Sequence, residues 1–257
     1  MTPDWNPASY AQYGDLRLRP ALDLLAQVPD LPDGAVVDLG CGAGSVGFAL
    51  AARFAGRRLE GVDASPAMLE QARSVGLYDA LEAVDAALWR PEVAPALIFS
   101  NAALQWLPDH VMLIQRLAGY LAPGGTLAVQ MPRQYNAPSH RFLRDIAAAL
   151  YPDRFDFGQW HAPVQTAEAY HRLLSAQGRV TAWQTDYVQQ LEQEGGAHPV
   201  RRFTESTAMR PYLERLTRTE AQAFTHAYEE ALSVAYPALA DGSVLMPFRR
   251  VFFTLTV

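Results

Sequence analysis

The stretch Val36-Val37-Asp38-Leu39-Gly40-Cys41-Gly42-Ala43-Gly44 governs how the rest of this 257-residue sequence is interpreted. Two β-branched residues, which favour strands, lead through an acid into three glycines at alternate positions. Glycine lets the backbone approach a ligand closely, because no Cβ stands in the way. The stretch therefore predicts a buried strand that ends in a tight turn at a nucleotide-like ligand.

Strand-like and helix-like runs alternate over the first half of the chain. The strand-like runs cover residues 35–39, 58–62, 81–84, 96–100 and 126–131, and the helix-like runs cover residues 19–27, 45–54, 66–74 and 109–121. Such alternation is typical of a mostly parallel sheet with helices on both faces. We therefore predict an α/β fold, in which ligands bind beyond the carboxyl ends of the strands where the strand order reverses.

The second half of the chain is richer in helical periodicity. Helical patterns cover residues 139–150, 166–176, 203–216 and 219–236, and two further strand-like runs cover residues 180–188 and 244–257. We predict a helical cap, about residues 190–240, inserted before the last strand. We expect a single domain over residues 1–257, divided into an N-terminal lid and leading helix (1–30), a cofactor-binding core (31–132) and a substrate-side half (133–257).

Composition and charge limit the class of protein. The formal net charge is −6, so we expect no nucleic-acid partner, which would require a basic surface. No apolar run reaches the roughly 18 residues that span a bilayer, and we expect no membrane association. Cys41 is the single cysteine, and the first residues lack the pattern of a signal peptide. We expect a cytoplasmic protein that is a monomer or a weak homodimer, and we find no cluster with metal-ligand spacing.

The glycines alone leave the cofactor open. Gly42, Gly44 and Gly47 fit the G-x-G-x-x-G fingerprint of dinucleotide-binding proteins, and Asp63 has the spacing of its ribose-binding acid. A carboxylate accepts hydrogen bonds from the hydroxyls of any ribose, however. Asp38 favours a cofactor with an ammonium group, since it would repel the phosphates of a dinucleotide.

Residues after the third, fourth and fifth strands add to this pattern. Asp85 can accept a hydrogen bond from the exocyclic amine of adenine, and Asn101 is suited to a site beside a sulfonium. Residues 121–127 spell a helix stop and a glycine turn before the fifth strand. In this order, over residues 36–131, these features resemble the class I S-adenosylmethionine-dependent methyltransferases. The resemblance implies a Rossmann-like sheet with S-adenosylmethionine as the cofactor.

The resemblance and the predicted strand ends together suggest which residues contact the cofactor. The predicted contacts are Trp5, Tyr10, Arg19, Asp38, Gly40, Gly42, Asp63, Ala64, Met68, Asp85, Ala86 and Asn101. We expect Arg19 to pair with the carboxylate of the cofactor. We expect Trp5 and Tyr10 to fold over the sulfonium, because an aromatic ring face attracts a cation; the alternative is a segment that only packs.

Further segments extend the resemblance over nearly the whole chain. They cover residues 4–10, 16–20, 100–110, 127–132, 209–213 and 247–250. In this order they resemble the trans-aconitate 2-methyltransferase family. The resemblance implies methyl transfer from S-adenosylmethionine to a carboxylate of trans-aconitate, which gives a monomethyl ester and S-adenosylhomocysteine.

A tricarboxylate needs cations to offset its charge when it is buried, and the chain has no lysine, so arginines must supply them. Arg210 and Arg249 are predicted substrate contacts because each lies beside proline and aromatic residues. Gln105 and Trp106 are predicted to shape the pocket floor. Further candidates are Arg133, His140 and Arg250. No catalytic side chain is predicted, because a carboxylate is ionised at pH 7 and needs no general base.

Other functions stay open. One alternative is a methyltransferase for another small carboxylic acid or a malonyl-type thioester. A second is a non-catalytic S-adenosylmethionine-binding protein, although the pocket residues Asn101, Gln105, Trp106 and Arg210 are all present. A third is an NAD-dependent dehydrogenase, for which the chain shows no evident catalytic histidine and no lysine.

Overall fold

The computed structural model describes residues 14–257, with side chains from residue 18 onward. The strands are β1 (Val36–Leu39), β2 (Leu59–Asp63), β3 (Ala80–Ala83), β4 (Leu97–Asn101), β5 (Thr126–Pro132), β6 (Arg179–Leu191) and β7 (Val244–Thr256). The α-helices are α1 (Gly14–Leu25), α2 (Gly47–Arg53), α3 (Pro66–Val75), α4 (His110–Ala118), α5 (Pro138–Leu150), α6 (Ala167–Leu174), α7 (Pro199–Glu205), α8 (Arg210–Leu213) and α9 (Arg218–Ala235). A 3₁₀ turn covers Leu104–Trp106.

The strands of the described chain form one seven-stranded sheet in the order β3-β2-β1-β4-β5-β7-β6. β1 pairs in parallel with β2 and with β4, while β3 is parallel to β2 and β5 to β4. β7 is antiparallel to β5. The order therefore reverses between β1 and β4, the place at which open α/β sheets bind ligands. The predicted Rossmann-like sheet is confirmed.

Two helix predictions need correction. The pattern over residues 203–216 predicts one helix, but the chain turns between α7 and α8, where the N–H groups of Thr207 and Met209 both donate to the Thr204 carbonyl oxygen. Pro211, which has no N–H group to donate, then lies in the first turn of α8, where none is needed. The leading helix was predicted from residue 19, whereas α1 already includes Gly14 and carries Pro20 inside it.

The chain groups into two compact units. The first contains the chain up to Pro132, Pro163–Thr185 and Arg250–Val257, and the second contains Arg133–Ala162 and Asp186–Arg249. The predicted helical cap corresponds to α7, α8 and α9, which all belong to the second unit together with α5. The division of functions between the two halves of the chain stays a prediction.

The core of the first unit lies against β4 and β7. Residues 97–99 of β4 and both Phe252 and Phe253 of β7 are fully buried. The Trp183 ring stacks on Phe252 at 4.9 Å between centroids, and the Tyr170 ring lies 4.7 Å from that of Phe253.

Among the described residues, none of the helices combines the length and the apolar composition that a membrane span requires.

The core of the second unit is built on α9. Phe224, Tyr228 and Leu232 recur at helical spacing on this helix and are fully buried. The Tyr228 hydroxyl donates to the Ser139 carbonyl oxygen at 2.6 Å and so joins α9 to α5. A capping box between Thr217 and Glu220 begins α9, which explains why this long helix starts where the sequence pattern predicts it.

We predict that Gly178→Ala lowers the free energy of unfolding by about 1–3 kcal/mol. A Cβ at Gly178 would lie 2.1 Å from the carbonyl oxygen of Thr256, so backbone must move. Gly196→Ala is the control, because a Cβ there meets nothing within 4 Å, and we expect it to be neutral or slightly stabilising. Denaturant unfolding of both variants measures the difference, and equal losses would contradict the prediction.

Candidate functional site

Asp38 lies near the end of β1, and only 1% of its surface is exposed, so its carboxylate is buried. The Tyr78 hydroxyl donates to Asp38 Oδ2 at 2.7 Å. Burial raises the pKa of Asp38 to about 7; the Tyr78 hydrogen bond opposes this rise and the negative charge of Asp63 adds to it. Asp38 is thus about half protonated near pH 7, and a cation beside it would favour its charged form.

The glycines of the loop after β1 have different neighbours. A Cβ on Gly40 would lie 2.1 Å from Ala103 Cβ, one on Gly44 would lie 3.1 Å from Tyr78 Cε2, and one on Gly47 would lie 2.8 Å from the Tyr78 hydroxyl. The atoms that these three glycines accommodate therefore belong to the protein, and the contact of Gly40 with a ligand stays a prediction. Gly42 has a φ of +55°, and a Cβ there would meet nothing within 4 Å. Gly42 is the loop glycine that faces open space in the described structure.

Asp63, at the end of β2, fixes the shape of this loop. Its Oδ2 accepts a hydrogen bond from the Gly42 N–H and its Oδ1 accepts one from the Ser65 N–H, both at 2.9 Å. Ser65 in turn caps α3, because its hydroxyl oxygen accepts from the Met68 N–H. Each Asp63 oxygen keeps a second lone pair for a ligand hydroxyl. The neighbouring Ala64 is exposed, and Met68 is buried.

The loop after β3 carries two further predicted contacts. Asp85 is exposed, and its Oδ1 accepts a hydrogen bond from the Ala87 N–H at 2.8 Å. The Ala86 carbonyl oxygen accepts from Arg116 Nη2 at 3.2 Å. Asp85 therefore shapes a tight turn, and its second oxygen is available to a donor.

Three buried amide atoms at the ends of β4 and β5 have no hydrogen-bond partner within the described structure. They are Asn101 Oδ1, Gln105 Oε1 and Gln130 Nε2. Asn101 and Gln130 are partners in the register of β4 and β5, and Gln105 donates to the Ala102 carbonyl oxygen at 2.7 Å. A buried polar atom left unpaired costs about 1–3 kcal/mol, so these atoms mark a place where a polar ligand is expected.

Backbone strain accompanies these amides. Ala102 has a φ of +53°, a conformation that residues with a Cβ rarely adopt. Its N–H donates to the Gln130 carbonyl oxygen, which holds the strained residue in place. Such strain concentrates at functional sites. Gln130 is not among the site residues predicted from the sequence, although it is the lone amide within the otherwise apolar run 127–131.

The remaining predicted contacts are exposed or lie outside the described residues. Arg19 is exposed on α1, Trp106 is 57% exposed in the 3₁₀ turn, and Trp5 and Tyr10 lie outside the described residues. Cys41 is buried, and burial raises the pKa of its thiol, so it is no nucleophile. No group of His, Cys, Asp or Glu side chains able to hold a metal ion occurs among residues 14–257 as described.

Arg210 and Arg249, the predicted substrate cations, belong to the second unit and already have carboxylate partners. Arg210 Nε lies 2.8 Å from Glu214 Oε1. Arg249 Nε and Nη2 lie 2.8 and 2.9 Å from the two carboxylate oxygens of Asp186, and this pairing lowers the pKa of Asp186. Both arginines are well exposed, and each pairs with its carboxylate through only part of its guanidinium, Nε for Arg210 and Nε with Nη2 for Arg249.

Comparison with known proteins identifies the family. The sequence model of a family described as "Methyltransferase domain" matches residues 10–180. A trans-aconitate 2-methyltransferase of Methylobacterium radiotolerans is 42% identical over 254 residues, which cover 97% of this chain and 96% of that protein. The enzyme of the same name from Rhizobium meliloti is 42% identical and covers 98% of both chains, and that of Escherichia coli is 40% identical over 97% and 96%.

The chain belongs to the trans-aconitate 2-methyltransferase family.

Solved structures agree with this family on the fold. The YcgJ protein from Bacillus subtilis matches with a TM-score of 0.58 at 14% identity, covering 92% of this chain and 97% of that one. Haemonchus contortus phosphoethanolamine N-methyltransferase 2, solved in complex with S-adenosyl-L-methionine, matches with a TM-score of 0.52 at 18% identity, covering 93% and 52%. At these identities the likeness concerns the fold alone, and it places this member of the trans-aconitate 2-methyltransferase family among methyltransferase folds.

We predict that Gly42→Ala weakens the binding of S-adenosylmethionine by at least about 10-fold, because the new methyl group would project into the open space beside the loop. Gly56→Ala is the matched control, since Gly56 also has a positive φ, of +80°, with nothing within 4 Å of its Cβ position. Both variants should lose about 1–2 kcal/mol of stability through backbone strain. Calorimetric titration compares the affinity of the two variants for S-adenosylmethionine. Equal affinities would contradict the prediction that Gly42 lies against the cofactor.

The raised pKa of Asp38 predicts a pH-dependent stability. The folded protein keeps a proton on Asp38 up to about pH 7, whereas the unfolded chain releases it near the ordinary value of 3.8. The contribution of Asp38 to the free energy of unfolding therefore falls as the pH rises from about 4 to about 7, by up to about 4 kcal/mol, and is constant above that range.

Asp38→Asn removes this dependence while keeping the shape and an acceptor for Tyr78. Denaturant titration measures the unfolding free energy of the wild type minus that of Asp38→Asn. This difference should fall by up to about 4 kcal/mol as the pH rises from about 4 to about 7. Tyr78→Phe removes the hydrogen bond that holds the pKa down, so in that background the decline should continue to higher pH. If this difference stays constant with pH, the raised pKa assigned to Asp38 is wrong.

Proposed function

We propose that this protein transfers a methyl group from S-adenosylmethionine to a carboxylate of trans-aconitate, giving the monomethyl ester and S-adenosylhomocysteine. The observation that carries the proposal is the identity of 40–42% with trans-aconitate 2-methyltransferases over nearly the whole length of both chains. The similarity therefore includes the second unit, where the predicted substrate contacts Arg210 and Arg249 lie.

The residues present at the ends of the parallel strands fit S-adenosylmethionine. Gly42 leaves open space beside a loop whose backbone Asp63 holds, and Asp63 keeps lone pairs for the ribose hydroxyls. Asp38 is a buried acid suited to the ammonium group, Asp85 has an oxygen for the adenine amine, and Asn101 has an unpaired buried oxygen. The other proposed cofactor contacts are Trp5, Tyr10, Arg19, Gly40, Ala64, Met68 and Ala86.

The chemistry requires little from the protein besides binding and exclusion of water. When bound, S-adenosylmethionine supplies an electrophilic methyl group, whose transfer forms an oxygen–carbon bond and leaves the electrons of the broken sulfur–carbon bond on sulfur. The accepting carboxylate is ionised at neutral pH, so no side chain has to remove a proton. The residues of the site act by holding both partners in line, and opposite charges that neutralise each other react faster where water is excluded.

The substrate contacts that we propose are Gln105, Trp106, Arg210 and Arg249. Gln105 is buried with an unpaired Oε1, while Trp106 presents an exposed ring. Arg210 and Arg249 would bind carboxylates of trans-aconitate through the guanidinium donors that Glu214 and Asp186 do not use. We further infer a cytoplasmic protein, monomeric or weakly dimeric, without a nucleic-acid partner; the net charge of −6 is consistent with the last point.

A methyl-transfer assay with labelled S-adenosylmethionine tests the proposed function. The panel comprises trans-aconitate, cis-aconitate, isocitrate and a malonyl thioester, with the mass of each product determined. We expect trans-aconitate to be converted to a monoester with a kcat/KM at least about 10-fold above that of the other acids.

Three other results would each contradict the proposal in a different way. Faster turnover of another acid or of the thioester would reassign the substrate. Cofactor binding without turnover of any acceptor would favour a non-catalytic S-adenosylmethionine-binding protein. Failure to bind the cofactor, measured separately by calorimetry, would overturn the interpretation of the glycine loop.

A further inference from the structure

Arg144, on α5 in the second unit, differs from the other arginines around it. Six arginines of this unit pair with carboxylates: Arg141, Arg154, Arg201, Arg202, Arg210 and Arg249. Arg144 is partly buried, and within the described structure it makes no hydrogen bond and no ion pair. Its guanidinium carbon lies 4.0 Å from the centroid of the Trp160 ring.

Aromatic rings hold this guanidinium in place. A cation over a tryptophan face is attracted by the electrons of the ring, so Trp160 fixes Arg144 without using any of its N–H donors. The Tyr135 ring lies 5.9 Å from that of Trp160, between centroids. The nearest acid along the helix, Asp145, lies 3.5 Å from Arg141 instead. A positioned guanidinium with free donors is the arrangement that recognises carboxylates.

Three polar side chains around Arg144 and Trp160 are uncharged near neutral pH. Burial, together with the charge of Arg144, lowers the pKa of His140 to about 4, so its imidazole is uncharged at pH 7. Burial raises the pKa values of Tyr135 and Tyr212 to about 12, so both hydroxyls stay protonated, and the charge of Arg144 acts on Tyr212 as well. The cluster thus combines Arg144 with neutral groups that can donate to an anion, while the charge of Arg133 also acts on Tyr135 and that of Asp145 on Tyr212.

The free-energy penalty of partly burying the Arg144 guanidinium also favours the binding of an anion. Removing a charge from water is unfavourable unless a partner compensates it, and the ring of Trp160 compensates only part of this penalty. Exposed arginines avoid the penalty because water solvates them, but Arg144 is partly buried. A ligand carboxylate would supply the missing partner. Arg210 and Arg249, by contrast, already have Glu214 and Asp186 as partners.

We propose that Arg144, with Tyr135, His140 and Tyr212, forms a subsite that binds a carboxylate of the substrate that is not methylated. The subsite rests on the proposed function, because it assigns the carboxylate to the acid that accepts the methyl group. It makes Arg144 a determinant of specificity for acids with more than one carboxylate. A monocarboxylate would leave either this subsite or the reacting position empty.

The test is the affinity of trans-aconitate for the protein saturated with S-adenosylhomocysteine, which cannot donate a methyl group. Calorimetry of the wild type and of Arg144→Gln should show at least about a 10-fold loss of affinity in the variant. Arg144→Lys keeps the charge without the planar fork and should recover part of the loss. Arg141→Gln is the control, since it lies one turn earlier on the same helix and is exposed and paired with Asp145.

A structural role for Arg144 would give a different pattern. The subsite predicts that Arg144→Gln leaves both the affinity for S-adenosylhomocysteine and the unfolding midpoint close to those of the wild type. In steady state, the same variant should raise the KM for trans-aconitate more than it lowers kcat, because this carboxylate is held equally before and during transfer.

The two proposals fail in distinguishable ways. Wild-type affinity in Arg144→Gln would overturn the subsite and leave the proposed function standing. Tight binding of trans-aconitate by the wild type without any turnover would contradict the proposed function alone. Absence of trans-aconitate binding to the wild type would contradict both.

Discussion

The site depends on one buried hydrogen bond, from the Tyr78 hydroxyl to the Asp38 carboxylate. The Tyr78 ring fills space that Gly44, Gly47 and Gly61 leave for it, so glycines from two parts of the chain, the loop after β1 and β2 itself, accommodate one aromatic side chain. Burying a carboxylate is unfavourable, and the hydroxyl compensates part of that penalty. Packing around the Tyr78 ring and its hydrogen bond to Asp38 therefore hold the end of β1 in place, which also fixes the start of the loop that follows.

The polar side chains of the site differ in whether their buried atoms have hydrogen-bond partners in the described chain. Asp63 meets backbone donors on both of its oxygens and determines loop shape, whereas Asn101, Gln105 and Gln130 each keep one buried amide atom without a partner in the described chain. Folded proteins rarely tolerate such atoms unless a ligand or water pairs with them. The satisfied groups build the loops, and the unsatisfied ones mark where the ligand is expected.

The sheet could be predicted from the sequence because its signals are local. Alternating apolar runs and capping residues such as Ser65 lie within a few positions of the elements that they define. The position of the glycine loop could be predicted, but the protein atoms that Gly40, Gly44 and Gly47 accommodate could not, because these atoms come from distant parts of the sequence. The same limit applies to the arginines: whether a cation is already paired depends on tertiary contacts, such as that between Arg249 and Asp186, 63 residues apart.

The place of β7 in the sheet has a consequence for how the chain acquires its fold during synthesis. β7 follows all other described strands along the chain, yet it lies between β5 and β6. The five strands β1 to β5 can pair with one another as they leave the ribosome, but β6 has no neighbour to join until β7 has been made. For the time needed to translate more than 50 residues, at about 5–20 residues per second, a nascent chain must keep β6 from pairing with other molecules.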